Sequence, residues 1–205
     1  MRRDYPRKVK LKDDRMVAIR PLAREDFDKL FAFFQAMPEN DRTFLRHDVR
    51  NPDLIQKWTE NIDFDHVIPL VAEDGDEIVA EGTLHMATHG WMHHVGLIRL
   101  VTAKTHRRNR LGTFIVKELV AIAQELNLEM LQTLVIEDEP GSVEMFQKLG
   151  FKKAAVLRNI VKDQNGYKRN LAIMLNEVDS IDHIIEDWIF SSMSTPLRGS
   201  VEGSY

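Results

Sequence analysis

The stretch that decides the fold runs from residue 98 to residue 151. An apolar run, Ile98-Arg99-Leu100-Val101, leads to the basic segment Arg107-Arg108-Asn109-Arg110-Leu111-Gly112-Thr113, where a helical pattern begins. The stretch closes on Lys148-Leu149-Gly150-Phe151. A turn at a helix N-terminus offers free backbone N–H groups and the positive end of the helix dipole to an anion, and arginines add to that attraction. We therefore expect residues 107–113 to bind a phosphate or a pyrophosphate.

Composition narrows the class of protein. With 205 residues, 43% of them hydrophobic, the chain is long enough for one domain with a full core. A net charge of -4 and a pI near 6.1 argue against a protein that binds nucleic acid mainly through its overall charge. The absence of cysteine excludes disulfides and thiolate chemistry. No apolar run approaches the roughly 20 residues of a membrane span, so we expect a cytoplasmic protein with no membrane or nucleic-acid partner.

The apolar residues follow two periods along the chain. Alternate apolar residues indicate strands, and apolar residues three or four positions apart indicate helices. Strands are predicted in a hairpin at residues 7–20, then at 67–72, 77–86, 95–102 and 131–136, and in a last hairpin at 151–161 and 167–175. Helices are predicted at residues 24–37 and 52–61, after the basic turn, and at 142–149. This order predicts an α/β (α+β) fold with a mixed sheet and helices on both faces.

Two motifs in the deciding stretch carry a family resemblance. The turn reads Arg107-x-x-Arg110-x-Gly112, and the later segment reads Glu139-x-x-Ser142-x-x-x-Phe146-x-x-x-Gly150-Phe151. With these motifs the chain resembles the GNAT superfamily of acetyl-CoA-dependent N-acetyltransferases, in which the turn reads Arg/Gln-x-x-Gly-x-Gly/Ala and the later segment often reads Asn-x-x-Ala-x-x-x-Tyr-x-x-x-Gly-Phe. The opening residues and Phe44-Leu45-Arg46 are similar to the acetyltransferase domain of bacterial protein-lysine acetyltransferases.

The resemblance implies the GNAT fold, with a mixed, mostly antiparallel sheet, and a single domain over residues 1–176. An amphipathic helix is expected at residues 177–192, with a disordered tail at 193–205. The apolar stripe of that helix packs on its own sheet or forms a homodimer interface. The stripe comprises Ile181, Ile184, Ile185, Trp188 and Ile189.

The resemblance also implies the cofactor site. Acetyl-CoA is the expected co-substrate, and its pyrophosphate is expected on the backbone N–H groups of the turn. The turn residues are Arg107, Arg108, Asn109, Arg110, Leu111, Gly112 and Thr113. Leu100, Val101 and Thr102 would pair with the pantetheine arm, and the N–H of Leu100 or Val101 would polarise the thioester carbonyl. Ser142 and Phe146 complete the expected cofactor contacts.

Two positions depart from the family pattern. Arg110 stands where a glycine is usual, so either that glycine is not needed or the loop is slightly displaced. Phe146 stands where a tyrosine often protonates the leaving thiolate, and phenylalanine cannot donate a proton. A thiol with a pKa near 8.5 can nevertheless leave as the thiolate.

A base is expected because a lysine-type amine has a pKa near 10.4 and must lose a proton before it attacks. Counting in twos along the fourth family strand from Thr102, Leu100 and Ile98 gives Gly96 and then His94, so His94 is the first candidate. Glu81 and Glu137 come next. Each candidate has a simpler reading as an exposed loop or strand residue.

The acceptor and the histidines leave alternatives open. The polar segment at residues 37–50 could receive a lysine or a small polyamine, or it could be an ordinary connection. His85, His89, His93 and His94 lie close in sequence, but no cysteine or well-placed carboxylate joins them, so we expect no metal.

The leading hypothesis is acetyl transfer from acetyl-CoA to a primary amine, on a protein or a small molecule, directly in a ternary complex. One alternative is a non-catalytic acetyl-CoA-binding module that regulates a partner, because the usual acid is missing and no base is obvious. A weaker alternative is another acyl or aminoacyl donor on the same fold.

Overall fold

The structure, a computed structural model, describes residues 3–42, 45–163 and 165–178. One sheet contains eight strands within this part of the chain: β1 (Arg7–Lys10), β2 (Met16–Pro21), β3 (Val67–Asp74), β4 (Glu77–His85), β5 (Val95–Thr102), β6 (Met130–Ile136), β7 (Lys152–Lys162) and β8 (Lys168–Glu177). The α-helices are α1 (Phe27–Gln35), α2 (Glu39–Arg42), α3 (Pro52–Glu60), α4 (Leu111–Glu125) and α5 (Pro140–Lys148).

The strand order is β1-β2-β3-β4-β5-β6-β8-β7, and every neighbouring pair is antiparallel except β5 and β6. The parallel pairing extends only from Val95–Met130 to Ile98–Thr133. Because β5 continues to Thr102 and β6 to Ile136, the two strands separate beyond this point. The sheet is therefore mostly antiparallel, as expected, and has a gap at its centre.

Helices cover both faces of the sheet. On one face, α4 buries Ile115, Leu119 and Ile122 against β4 and β5. Its close approach needs a small residue on β4, since a Cβ on Gly82 would lie 2.3 Å from Cγ2 of Ile115. On the other face, α1 and α3 form a second core with β3 and β4. That core includes Leu30, Phe34, Ile55, Val71 and Ile78. The prediction of helices on both faces is confirmed.

Most predicted elements are present, with shifts of a few residues at their ends. The short helix α2 lies where the sequence indicated only a polar connection, and a single 3₁₀ turn at Lys104–His106 precedes the basic segment. Residues 179–205, which hold most of the predicted C-terminal helix and its tail, lie outside the described residues; Glu177 is the last residue of β8. Among the helices described, none combines the length and the apolar character that crossing a membrane requires.

Candidate active site

A cleft of about 1810 Å³ opens where β5 and β6 separate. Leu100, Val101 and Thr102 lie on its β5 side, and residues 133–136 lie on its β6 side. The cleft continues to the basic turn and the first residues of α4, and it is bounded by α5. The segments that the sequence selected for cofactor binding therefore meet around one cavity.

The basic turn contains two arginines with left-handed backbone conformation. Arg108 has φ 60° and Arg110, the N-cap of α4, has φ 69°. Glycine adopts this region without strain, whereas other L-residues do so at a cost of about 1–2 kcal/mol. This conformation explains why a glycine suits position 110. In this chain an arginine adopts the left-handed conformation there.

The N-terminus of α4 presents donors to the cleft. The first helical bond runs from Phe114 N to Arg110 O at 3.1 Å, so the N–H groups of Leu111, Gly112 and Thr113 have no acceptor within the helix. These three residues line the cleft together with the arginines at positions 107, 108 and 110. This arrangement is suited to a pyrophosphate.

Gly112 is required by packing as well as by its place at the helix start. A Cβ at this position would lie 2.9 Å from Cδ2 of Leu100 and 3.0 Å from Sδ of Met145. The missing side chain therefore lets the first turn of α4 approach both β5 and α5, which fixes the width of the cleft.

The hairpin of β1 and β2 supports the turn from behind. Lys12 N donates to Asn109 O at 3.3 Å, and Asn109 Nδ2 donates to Asp13 Oδ2 at 2.9 Å. Arg15 donates to Thr105 O at 3.1 Å. Asn109 is thus turned toward the hairpin, and it is absent from the residues that line the cleft within the described ranges.

Two further contacts anchor the start of the turn. The buried ring of His106 lies 3.0 Å from Asp74 Oδ2 and 2.7 Å from a terminal nitrogen of Arg15. Arg107 donates to Thr102 O at 3.1 Å and to Asp41 Oδ2, on α2, at 2.6 Å. Arg107 therefore joins the end of β5 to α2 across the mouth of the cleft.

The α5 side carries the two remaining residues expected at the cofactor. Ser142 and Phe146 both line the cleft. Phe146 is only 2% exposed and packs edge-on against Phe151, with ring centroids 5.1 Å apart. Phe146 therefore forms an apolar wall.

The strand faces differ from the expectation on which His94 was chosen. Gly96, Ile98 and Leu100 face α4: a Cβ on Gly96 would meet Leu84 and Leu128 at 2.7 and 2.9 Å, and Leu100 contacts the position of Gly112. The open face of β5 is the other one, which carries Leu97, Arg99 and Val101. Counting in twos from Leu100 therefore follows the face that packs against a helix.

Two of the three candidate bases lie outside the cleft. His94 lies in the turn before β5, where its ring packs edge-on against His93 and its backbone carbonyl accepts bonds from Glu129 N and Met130 N. Glu137 accepts hydrogen bonds from Lys153 at 2.9 Å and Asn170 at 3.0 Å, and these bonds hold the pKa of its carboxyl below the usual range. Neither side chain lines the cleft among the residues described.

Glu81 is the third candidate, and it lies in the cleft. It faces Val101 across the β4–β5 pairing, at the end of β5 that has separated from β6. Its carboxylate forms no hydrogen bond or ion pair with a described residue. Burial raises the pKa of this carboxyl to about 7, and the nearby charge of Arg99 only partly opposes that rise. A carboxylate in this state can accept a proton near neutral pH.

Sequence reasoning missed Thr83 and Arg99 beside Glu81; it considered His85 only as a possible metal ligand and Arg46 as part of the polar segment at residues 37–50. Thr83, His85 and Arg99 line the same cleft, and Arg46 faces it from the segment after α2. Burial and then the charges of Arg99 and Arg46 lower the pKa of His85 to about 4, so this ring is neutral at pH 7. Thr83 and His85 alternate with Glu81 along β4 and therefore lie on the same face of the strand. This alternation is the signal that could have identified them.

A metal site is not found in the described part of the chain, where no group of three or more histidine, aspartate or glutamate side chains could hold an ion. His93 Nδ1 donates to Gly90 O, and the ring of His85 is hydrogen-bonded to the hydroxyl of Thr83. His85 and His93 are thus each engaged by a local hydrogen bond.

Comparison with solved structures shows the fold. An N-acetyltransferase from Staphylococcus aureus Mu50 superimposes with a TM-score of 0.68 at 18% identity, covering 79% of this chain and 98% of its own. The GNAT domain of S. lividans PAT gives a TM-score of 0.68 at 16% identity and covers 85% of this chain and 99% of its own. The yncA protein from Salmonella typhimurium, solved with its cofactor acetyl-CoA, gives 0.67 at 14% identity and covers 80% and 94%.

Comparison of sequences shows the family. A search of curated proteins finds no match to the chain. The sequence pattern of the acetyltransferase (GNAT) family matches residues 24–151, which include the basic turn, α5 and most of the residues that line the cleft. The residues at the cleft fit the donor that this family uses, because they offer free helix N–H groups and an open strand edge. The chain therefore belongs to the acetyltransferase (GNAT) family, whose acyl donor is acetyl-CoA.

Proposed function

We propose that the protein transfers an acetyl group from acetyl-CoA directly to a primary amine while both substrates are bound, with Glu81 as the base. The observation that carries the proposal is the position of Glu81. Its carboxylate forms no hydrogen bond or ion pair with a described residue. It lies on the cleft floor opposite Val101, where the edge of β5 is open, and burial raises its pKa to about 7.

Different parts of acetyl-CoA would bind to different residues of the cleft. The N–H groups of Leu111, Gly112 and Thr113 would hold the pyrophosphate at the positive end of α4. The open backbone of residues 100–102 would accept the pantetheine arm as an added strand. The donor supplies the acetyl group as a thioester, which a free amine can attack.

Three groups would act on the reacting atoms. Glu81 would take the proton of the amine, directly or through one water, because the neutral nitrogen is the nucleophile. A backbone N–H of Leu100 or Val101 would stabilise the charge that develops on the carbonyl oxygen as the C–N bond forms and the C–S bond breaks. Phe146 cannot donate a proton, so solvent would protonate the leaving thiolate.

A turnover assay tests this function. The protein would be incubated with acetyl-CoA and a panel of small amines, amino acids and lysine peptides, and free CoA would be measured with a thiol reagent. The chain contains no cysteine, so it contributes no thiol to the signal. We expect CoA release above hydrolysis, with the acetylated amine found by mass spectrometry. Binding of acetyl-CoA without release across a broad panel would contradict transfer and would favour a regulatory module.

A further inference from the structure

The floor of the cleft beside Glu81 carries a cation that forms no ion pair within the described part of the chain. Arg99 stands opposite Thr83 in the β4–β5 pairing, so it is a diagonal neighbour of Glu81 on the same face. The guanidinium is partly buried and lines the cleft. It forms no hydrogen bond and no ion pair with any residue that the structure describes.

The surrounding charges do not neutralise Arg99. Arg46 faces the same space and also lacks an ion pair with a described residue. Two carboxylates at this end of the cleft are engaged elsewhere: Asp41 binds Arg107 at 2.6 Å, and Asp63 binds His66 at 2.8 Å. Glu81 remains, but the separation from Arg99 exceeds ion-pair distance, and burial favours the protonated form of this carboxyl.

A partly desolvated cation without a partner is costly, and a bound anion would relieve that cost. The planar guanidinium matches a carboxylate, with two parallel hydrogen bonds. Diagonal neighbours on adjacent strands lie about 7–8 Å apart, so one small molecule lying on this face could reach both Glu81 and Arg99. The same positive charge would repel a polyamine or a lysine side chain.

We infer that the acceptor is a small amine that also carries a carboxylate, of the amino acid class, with Arg99 holding the carboxylate, Arg46 adding positive charge, and Glu81 facing the amine. This inference rests on the proposed function and names the substrate class of the same site. Arg99 thus determines which amines are accepted.

Matched acceptors provide the test. For each amino acid that is acetylated, kcat/KM would be compared with that of its carboxamide and of its decarboxylated amine. We expect the carboxylate form to be preferred about 10- to 100-fold, as for a hydrogen-bonded charge pair. The Arg99→Gln variant should raise KM for the carboxylate form by a similar factor and lower kcat/KM for the carboxamide several-fold less than for the carboxylate form. Arg99→Lys should fall between the two.

The control is Arg24→Gln, an exposed arginine outside the cleft, which should leave the preference unchanged. Equal or better use of the carboxamide, the decarboxylated amine or a lysine peptide would overturn the inference while leaving acetyl transfer intact. An equal loss on both acceptor forms in Arg99→Gln and Arg99→Lys would also overturn it. Failure of every amine, with acetyl-CoA still bound, would instead be the failure of the proposed function.

Discussion

Glu81 is the residue on which proton transfer depends under the proposed function. It occupies the cleft face of β4, lacks a hydrogen-bond partner among the described residues, and has a pKa raised to about 7 by burial. A base with a pKa near the working pH combines a useful fraction of the ionised form with a real affinity for the proton. These properties distinguish it from Glu137, which two hydrogen bonds keep ionised.

Replacing Glu81 with glutamine should remove the base and keep the shape of the side chain. We expect Glu81→Gln to lower kcat by about 10²- to 10⁴-fold. In the native protein kcat/KM should rise with pH through about 7 as the carboxylate forms, and the variant should lack this limb. The measurement is the pH profile of CoA release, with Glu77→Gln, exposed at the start of β4, as the matched control. Native activity with an unchanged profile in Glu81→Gln would contradict the assignment.

Glu81→Gln, which should lower activity, should also raise the stability of the folded protein at alkaline pH. Because the pKa of Glu81 is raised in the folded state, its contribution to stability is fully present below the unfolded pKa near 4.3 and is lost as pH rises through about 7. Glu81→Gln should therefore be more stable than the native protein at pH 8, by about 1–3 kcal/mol, and equal to it near pH 4. Thermal unfolding across this range measures the difference, and a destabilised variant at pH 8 would refute the assigned cause.

At the scale of residues, the sequence could not predict which face of β5 packs against a helix. Period two along β5 separates Ile98 and Leu100 from Leu97 and Arg99, but it does not say which set faces a helix. The answer depends on where α4 packs, and that is decided by Gly82 and Gly96, which make room for Ile115 and Leu128. The interpretation of His94 as the base followed the face of Ile98 and Leu100, which is the one that packs against α4.

At the scale of elements, the β1–β2 hairpin holds the turn that would bind the pyrophosphate. Arg15 touches Thr105 O and the His106 ring but does not line the cleft among the described residues. Arg15→Gln should therefore loosen the turn and raise the Kd of acetyl-CoA by about five- to tenfold, corresponding to about 1 kcal/mol for lost hydrogen bonds. Calorimetric titration measures this change. Lys10→Gln, whose exposed partner is Asp14, is the control; equal effects in the two variants would count against the role of Arg15.

A second link joins the N-terminal residues to α4. Arg3, Tyr5 and Arg7 all donate to the carboxylate of Glu118, at 2.6, 3.0 and 2.9 Å. Because this carboxylate is only 9% exposed, Glu118→Gln would leave three donors with weaker acceptors.

We expect Glu118→Gln to cost about 1–3 kcal/mol in the free energy of unfolding, since the arginines can partly return to water. Urea denaturation measures the loss. Glu125→Gln, which removes only one 3.1 Å bond to Arg3, should cost less than half as much, and similar losses in both variants would show that the three donors are not acting on Glu118 together.

Elements were the best predicted level because each depends on local periodicity. The helix after the basic turn was evident from apolar residues at Ile115, Leu119, Ile122 and Leu126; the first three are buried, and Leu126 is the C-cap of the helix. The insertion of β8 between β6 and β7 was not predicted, because both strands of the last hairpin contain apolar residues and either could pair with β6. The short α2 has no buried residue, so no apolar pattern in the sequence predicts it.

For the whole molecule, donor binding should be visible as stability. The two halves of the sheet are joined by a short parallel pairing between β5 and β6, and a ligand that contacts both sides of the gap favours the folded state. CoA at 100 times its Kd should add about 2.7 kcal/mol to the free energy of unfolding. Thermal unfolding with CoA checks this, and pantetheine, which lacks the pyrophosphate, is the matched ligand control; no stabilisation by CoA would contradict the site.

Net charge of the whole chain gave little guidance to the site. The formal charge is -4, yet the cleft gathers Arg46, Arg99 and the turn arginines. This concentration arises from strands and loops far apart in sequence, so composition could exclude a broadly basic protein but could not reveal a local positive cavity.

The alternation of β5 has a consequence for how such a protein can diverge. The side chain of Leu100 packs on the helix side, and the side chains of Arg99 and Val101 line the cleft on the face where we propose that the acceptor binds. The strand edge that has separated from β6 is where we propose that the donor lies. Under this proposal, substitutions at the odd-numbered positions would change which amine is chosen without disturbing the contacts to the acyl donor, so new acceptor preferences would be accessible by single steps along one strand.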